Sequence, residues 1–447
     1  MNSGDTAWVL ISAALVLLMT PGLAFFYGGM VRDKSVLNML MMSVGSIGVV
    51  GVIWLLYGYS AAFGPDLGAG LLGDPLRNFG LEGLLGTDSL QQTVPAAAYV
   101  AFQAMFAIIT VALISGAIAD RARFGPWLLF VALWVTVVYL PVAHWVFNAD
   151  TKDAAGAVVQ HGGWIINQLG AIDFAGGTAV HINAGTAGLA LALLLGRRVG
   201  WPGEPMRPHN VPLVMLGAGL LWFGWFGFNA GSALAAGTTS AVVFVTTLGA
   251  TCASMLGWML VERLRDGRAT TLGAASGIVA GLVAITPACS AVTVPGSLAV
   301  GLLAGVLCCL AVGLKYRLGF DDSLDVVGVH LVGGLVGTLL VGLFASSSAP
   351  AGVSGLFYGG GFDQLGKQAL AAVAVLAYSV VLTTALGGLV MKTVGFRLPV
   401  QHEIDGVDEI EHAESAYHFG GGAPRHRTTD PEAATQVRTA RTQETSP

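Results

Sequence analysis

Charged side chains are scarce in this sequence of 447 residues, at 11% of the chain against about 25% in an average soluble domain. Hydrophobic residues make up 54%, and the sequence also contains 63 glycines. So few ions could not cover the surface of a water-soluble protein of this size. The composition therefore excludes a cytosolic enzyme, a disordered chain and a secreted disulfide scaffold, and it predicts an integral membrane protein.

The sequence also lacks an excess of positive charge and a cysteine framework. Acidic and basic residues balance over residues 1–397, so no basic face for nucleic acid is expected. Residues 398–447 contain nine acidic and four basic residues and are predicted to form a short acidic tail. The four cysteines have no CxxC spacing and no nearby histidine, and we interpret them as small buried hydrophobic side chains rather than zinc ligands: Cys252, Cys289, Cys308 and Cys309.

Long apolar runs fill most of residues 1–397. A membrane-spanning helix needs about 20 mostly apolar residues, and the first run has no positive residue before it and is too long for a signal peptide, so we expect it to be retained as an anchor. The sequence predicts an all-α integral membrane protein with eleven transmembrane helices, at 6–29, 36–62, 95–118, 126–148, 173–195, 210–233, 239–261, 272–290, 295–316, 325–345 and 368–392.

Basic residues are concentrated in alternate connections between these spans. Together with the tail, those connections hold 18 of the 21 lysines and arginines, and the other connections hold only Arg77, Lys152 and Lys367. The positive-inside rule then predicts an outer N-terminus and a cytoplasmic C-terminus, N-out/C-in. Spans 1–5 and 6–10 would have opposite orientations, which is the arrangement of a 5+5 inverted repeat plus one extra helix.

Two histidines lie inside the spans, where ionisable side chains are costly and are candidates for function. His181 is in the fifth span and His330 in the tenth, whereas His144 lies near the outer end of the fourth, where an interfacial role is expected. One such histidine can simply bind a neighbouring helix. Two hydrogen-bonded imidazoles keep one free donor and one free acceptor, which suits a small neutral molecule, whereas a metal site would lack its third ligand.

Aromatic and acidic residues provide two further candidates with alternative roles. The third span contains Phe106, and the sixth contains Trp225 and Phe228 followed by Ser232. Core packing is the ordinary role of such rings, but π faces also attract a cation as it loses water, and Ser232 would add a hydroxyl acceptor. Asp173 either caps the first turn of the fifth span or favours a cation outside the pore.

Together these motifs resemble the ammonium transporter family (Amt/Mep/Rh), in its prokaryotic branch. The stretch from Asp173 through Arg197 looks like the family signature, DFAGG followed by V-His-x-Asn. The stretches that begin at Phe102, Phe223 and Asp322 are similar to other blocks of the family. The resemblance covers residues 6–420, and it divides the chain into a membrane domain at 1–397 and a cytoplasmic tail at 398–447, of which the composition predicts disorder over 420–447.

The resemblance implies a homotrimer in the cell membrane that transports ammonium, or methylammonium as an analogue, without a cofactor, a metal or enzymatic activity. Ammonium would be recruited at an outer vestibule and deprotonated, and ammonia would pass a phenylalanine gate and two pore histidines. The residues that match these positions are His181 and His330 in the pore, Phe106 and Phe228 as the gate, Trp225 below it, and Ser232, Phe147, Phe106 and Asp173 at the outer site.

One position departs from the family pattern. Many bacterial members have tryptophan where this sequence has Phe147, a weaker partner for a cation. An inserted loop, residues 148–163, follows it, and the next residue, Trp164, is an alternative to Phe147 at the vestibule.

The tail and the histidines leave other functions open. The acidic tail resembles the segment that responds to PII-type proteins in this family, although an acidic run can also be a solvated face. The alternatives to transport are an ammonium sensor with secondary conduction, for which this tail looks too short, a gas channel of the Rh type, and a membrane enzyme or metal site.

Overall fold

The computed structural model describes residues 1–153, 155–204 and 206–417. Within these residues, ten helices are long and apolar enough to cross a membrane, and α8 is a shorter apolar helix. The helices are α1 (Ser3–Met30), α2 (Val36–Phe63), α3 (Ala96–Ile118), α4 (Phe124–Phe147), α5 (Gly177–Leu195), α6 (Val211–Gly231), α7 (Thr238–Asp266), α8 (Thr271–Ile285), α9 (Val294–Leu318), α10 (Val327–Phe344) and α11 (Asp363–Thr393), followed by the short α12 (Val400–Asp405) and α13 (Val407–His412).

The helices α1 to α11 match the eleven predicted spans one for one, and the prediction of an all-α, multi-pass membrane protein is confirmed. The match is loosest at α8, which has 15 residues where the sequence predicted a span over 272–290. The helix ends at Ile285 because Pro287 has no amide hydrogen for a further helical bond, and the chain continues in tight turns to Ala291. The sidedness of the helices and the inverted repeat stay predictions.

Two short hairpins lie in the connections that the sequence assigns to the outer side. In the first, β1 (Leu90–Gln91) pairs with β2 (Val94–Pro95) in the antiparallel direction. The second pairs β3 (Thr151–Lys152) with β4 (Val158–Gln160), so the inserted loop after α4 forms a hairpin of its own.

Glycines allow the central helices to approach each other closely. A methyl group on Gly185 of α5 would lie 2.4 Å from the backbone nitrogen of Leu331 in α10. Similarly, a methyl group on Gly217 of α6 would lie 2.3 Å from the nitrogen of Phe26 in α1. Small residues at such crossings replace side-chain contacts with backbone contacts in membrane helices. The contact between α5 and α10 brings His181 and His330 together.

The part of the tail that the structure describes binds beneath the membrane helices. The Asp408 carboxylate accepts hydrogen bonds from the amides of Leu37 (2.9 Å) and Asn38 (2.8 Å), in the first turn of α2. The Glu403 carboxylate accepts from the Val199 amide at 2.6 Å, in the loop after α5. The predicted disorder over 420–447 lies outside the described residues.

Candidate functional site

Both histidines predicted for the pore lie on π-helical turns at the start of their helices. His181 is in the turn Gly177–Ile182 and His330 is in the turn Val327–Leu331. Such wide turns are frequent at functional sites, and the described residues contain three others, at Trp54–Gly58, Val135–Tyr139 and Ile165–Leu169. The arrangement is therefore the same in the fifth and tenth helices, as expected if the two halves of the chain are related.

An aspartate precedes each of these turns and binds its backbone: Asp173 is partly buried and Asp322 is buried. Asp173 accepts hydrogen bonds from four consecutive amides, those of residues 176–179, and from the Thr178 hydroxyl. Asp322 accepts from the amides of Val326 (3.1 Å) and Val327 (2.7 Å). A carboxylate at this position satisfies the free amides and complements the helix dipole. The contacts of Asp173 thus agree with its capping role.

The role of Asp322 was missed at the sequence level, although its position before His330 parallels that of Asp173 before His181. Burial raises the pKa of the Asp322 carboxyl to about 6, although the charge of Lys315 and the two amides act in the opposite direction. The signal that could have found this residue is the equal spacing: Asp173 and Asp322 both precede their histidine by eight residues.

The two imidazole rings meet in a narrow apolar space. Their Nδ1 atoms are 3.3 Å apart and their ring centroids 5.4 Å apart, and both side chains are buried. A hydrogen bond between two Nδ1 atoms needs one donor and one acceptor, so only one of them carries the proton of that contact. The cavity beside the rings has a volume of about 10 Å³, which holds about one water-sized molecule.

Two stacked phenyl rings separate this narrow space from a larger cavity at the end of the helices that the sequence assigns to the outer side. The ring centroids of Phe106 and Phe228 are 4.2 Å apart with an angle of 23° between the planes, and both rings are buried. Trp225 stacks on His181 at 5.4 Å and donates from Nε1 to the Thr286 hydroxyl at 2.9 Å. The sequence did not point to Thr286, which fixes the indole ring from the turn after α8.

A larger outer cavity, of about 840 Å³, lies on the other side of the phenyl pair. It is lined by all four residues predicted for the outer site: Phe106, Phe147, Asp173 and Ser232. The Ser232 hydroxyl donates to the Phe228 carbonyl at 2.8 Å, which leaves the lone pairs of its oxygen available to accept a proton donor.

The structure separates the two alternatives for the missing vestibule tryptophan. Phe147 lines the outer cavity, and its ring centroid is 6.3 Å from that of Phe106 in an edge-to-face arrangement. Trp164 instead packs against Trp145, with ring centroids 5.9 Å apart, and it is not among the residues that line the cavity. The aromatic ring at this position is therefore a phenyl.

A buried network of charged residues lies at the opposite end of the helices from the outer cavity. Arg198 contacts Asp321 through two nitrogens, at 2.8 and 2.9 Å, and Asp120 at 3.1 Å. Burial alone would lower the pKa of the Arg198 guanidinium, but these carboxylates raise it. These paired charges join the loops that follow α3, α5 and α9.

Among the residues that the structure describes, no group of three histidine, cysteine or acidic side chains could hold a metal ion. Cys289, Cys308 and Cys309 are buried and Cys252 is partly buried, and none of the four forms a disulfide. His181 and His330 thus have each other and mostly apolar side chains as neighbours.

Comparison with known proteins agrees with this geometry. Residues 7–417 match the sequence model of the Ammonium Transporter Family. The chain is 63% identical to an ammonium transporter of Mycobacterium tuberculosis strain H37Rv, over 94% of this chain and 91% of that protein. It is 45% identical to an ammonium transporter of Corynebacterium glutamicum, over 94% and 90% of the two chains.

The fold is also found in solved structures of other proteins. The crystal structure of Saccharomyces cerevisiae Mep2 aligns with a TM-score of 0.80 and 36% identity, over 90% of this chain and 88% of that one. A sensor Amt protein aligns with a TM-score of 0.81 and 29% identity, over 92% and 98% of the two chains.

Proposed function

The chain belongs to the Ammonium Transporter Family, and we propose that it moves ammonium or ammonia across the cytoplasmic membrane. In this proposal, ammonium binds in the outer cavity and gives up its proton there to solvent water. Ammonia then passes between Phe106 and Phe228 and along His181 and His330. The observation that carries the proposal is the contact of two imidazoles in an apolar space of about 10 Å³.

Recruitment at the outer cavity uses a hydroxyl and two phenyl rings. The Ser232 oxygen can accept a hydrogen bond from an ammonium N–H group, because its own proton is used by the Phe228 carbonyl. Phe106 and Phe147 present π faces that attract a cation as it loses part of its water. Asp173 lines the same cavity and adds negative charge near the site.

The phenyl pair and the apolar space below it favour the neutral species. A charged ion has to give up its hydration to enter such a space, and this costs far more than the entry of a neutral molecule. The stacked rings leave no open path at 4.2 Å, so a rotation of at least one ring would admit each molecule. Ammonia has one lone pair and three hydrogens, which match the free acceptor and donor of the imidazole pair.

The test is the uptake of labelled methylammonium into proteoliposomes, with the current recorded in parallel. The variants His181→Ala and His330→Ala are expected to reduce uptake about tenfold or more, or to admit other cations, because the hydrogen-bonded path is broken. His161→Ala is a matched control, since the His161 side chain is largely exposed on the β3–β4 hairpin. Wild-type uptake and selectivity in both pore variants would overturn the proposed pathway.

The same experiment separates transport from a second candidate, an ammonium sensor with secondary conduction. Two observations point to this second function. The chain shares its fold with a sensor Amt protein, and its tail binds the first turn of α2. If the protein is a transporter, the purified chain alone sustains uptake into the liposomes. If it is a sensor, it binds ammonium without comparable flux. Uptake without a saturable outer site would indicate a gas channel of the Rh type.

The family resemblance also supports a homotrimer in the lipid bilayer with one conduction path in each subunit. The acidic tail makes a PII-type regulatory protein the proposed partner at the cytoplasmic face. The residues that line the proposed pore all come from one chain. Each subunit of a trimer, with or without a bound PII-type protein, could therefore contain its own pore.

A further inference from the structure

We propose that Asp5 is a positioning residue for the outer cation site, where its carboxylate joins the two walls of the outer cavity. The inference rests on the proposed recruitment of ammonium at Ser232. Asp5 lies in the first turn of α1 and is only 8% exposed. It does not itself line the cavity, so its effect on a bound cation would act through the residues it holds.

Each oxygen of the Asp5 carboxylate binds a different wall. Its Oδ2 accepts a hydrogen bond from the Thr93 hydroxyl at 2.7 Å, and its Oδ1 accepts from the Ala236 amide at 2.8 Å. Thr93 and Ala236 are far apart in sequence, and each belongs to a turn that faces the cavity. One side chain thus fixes the distance between these two turns.

The first wall is the turn of the β1–β2 hairpin. Gln91 and Gln92 of this hairpin line the cavity, and Gln92 has a left-handed backbone with φ of 53°. The Asn2 amide donates to the Thr93 carbonyl at 2.8 Å. The start of α1 therefore binds this turn through one backbone contact and through the Asp5 side chain.

The second wall is the turn that follows α6 and carries Ser232. Leu234, in the middle of this turn, has φ of 56°, a left-handed conformation that a leucine adopts only when its surroundings impose it. Its amide donates to the Gly231 carbonyl at 2.9 Å. Beyond it, the Ala235 carbonyl accepts from the Ser240 hydroxyl, and the Ala236 amide donates to Asp5. Asp5 therefore holds the end of the turn that presents the Ser232 hydroxyl.

Loss of this bridge would loosen the outer site and leave the pore intact. The phenyl pair and the histidines make no contact with Asp5, whereas Ser232 and Leu234 would gain freedom. Ammonium binding would weaken because its acceptor is less often in place, and the maximal rate would change little. This split between the half-saturating concentration and the maximal rate distinguishes positioning from a general loss of structure.

The experiment measures methylammonium uptake against concentration for three variants of the full chain. In Asp5→Ala both contacts are lost, and the half-saturating concentration is expected to rise about threefold or more, with a maximal rate within about twofold of wild type. In Asp5→Asn the amide oxygen can accept from Ala236 while its NH₂ group donates to the Thr93 hydroxyl, so a near wild-type value is expected. Thr93→Val removes one contact only and should give an intermediate value.

Thr6→Ala is the matched control at the same end of α1. The Thr6 hydroxyl donates to the Asn2 carbonyl at 2.7 Å and does not contact either wall. Its half-saturating concentration is expected to stay at the wild-type value. A rise equal to that of Asp5→Ala would show that any change in the first turn of α1 has this effect, and it would overturn the proposal.

Hydrogen exchange provides a readout that does not depend on transport. The amides of residues 90–94 and 232–237 are expected to exchange faster in Asp5→Ala and at the wild-type rate in Asp5→Asn. Unchanged exchange and affinity in Asp5→Ala would overturn the proposal. A weaker affinity in Asp5→Asn equal to that of the alanine variant, with wild-type exchange, would also overturn it, because the charge rather than the bridge would then matter.

Ser232→Leu separates this inference from the function on which it rests. A raised half-saturating concentration in Ser232→Leu supports the outer site, and the Asp5 variants then test the bridge alone. An unchanged value in Ser232→Leu would remove the outer site itself, whereas the exchange experiment would still decide whether Asp5 holds the two turns.

Discussion

At the scale of the residue, Phe147 is the position where a small change should improve ammonium binding. Its ring lines the outer cavity and meets Phe106 edge to face. Tryptophan is the better partner for a cation, so Phe147→Trp is expected to lower the half-saturating methylammonium concentration. A gain of about 0.5–1 kcal/mol corresponds to a decrease of about two- to fivefold, which uptake measurements can resolve.

Phe147→Leu is the control for this change, because it keeps an apolar side chain and removes the π face. We expect this variant to raise the half-saturating concentration. Equal values for the phenylalanine, tryptophan and leucine forms would mean that the ring at this position does not contact the cation.

The sequence predicted the central residues of the site because their types are unusual inside a membrane helix. His181 and His330 stand out as ionisable groups in apolar runs, and the structure brings them within hydrogen-bonding distance. Asp5 could not be found in this way, since an acidic residue in a first helical turn is ordinary. Its two contacts join segments 88 and 231 residues away, and no local pattern encodes them.

At the scale of the element, the crossing of α5 and α10 determines whether the two imidazoles meet. Gly185→Ala would place a methyl group 2.4 Å from the Leu331 nitrogen, which the backbone of α10 can avoid only by moving away. Overpacking of this kind costs about 1–3 kcal/mol. We expect Gly185→Ala to lower the midpoint of thermal unfolding. We expect methylammonium uptake to fall by a larger fraction than the stability does.

Gly219→Ala is the matched control, because Gly219 lies inside α6 with open space around it. Alanine is favoured over glycine in a helix by about 1 kcal/mol, so this variant should be as stable as the wild type or more stable. Equal stability and uptake in Gly185→Ala and Gly219→Ala would contradict a tight crossing at the histidines.

The elements themselves were predictable to different degrees. The ten long helices follow from apolar runs that match the thickness of a membrane. The early end of α8 did not follow, since residues 286–290 contain no charged residue and only Pro287 marks the change. The π turns at both histidines depend on side chains such as Asp173 that bind backbone amides, and the helical period does not reveal them.

At the scale of the whole molecule, the loops predicted to share the cytoplasmic side do lie together. Arg32, Arg198 and Arg397, from three different connections, contact the acidic residues Asp120 and Glu403. Charge counting predicted that these loops are on one side, but it could not predict which residues pair. The location of this face in the cytoplasm stays a prediction, as does the binding of a PII-type protein there.

The described part of the tail closes this face by capping two membrane helices that lack caps of their own. Ser35, at the start of α2, makes no capping hydrogen bond with its side chain, and Asp408 binds the free amides of that turn instead. Glu411 likewise accepts from the amide of Phe124 at 2.9 Å, at the start of α4. The tail thereby contacts α4, whose other end carries Phe147 at the outer cavity.

Asp408→Ala is expected to release this contact. A lost helix cap costs about 0.5–2 kcal/mol, so the free energy of unfolding should fall by that amount, and the amides of Leu37 and Asn38 should exchange faster with solvent. Asp405→Ala is the control on the same segment, because Asp405 is exposed and, within residues 1–417 as described, its carboxylate accepts a hydrogen bond from Gln401 alone, at 2.9 Å. If the exchange of the first turn of α2 were the same in both variants, the tail would not stabilise that helix, and its docking would contribute nothing to the membrane domain.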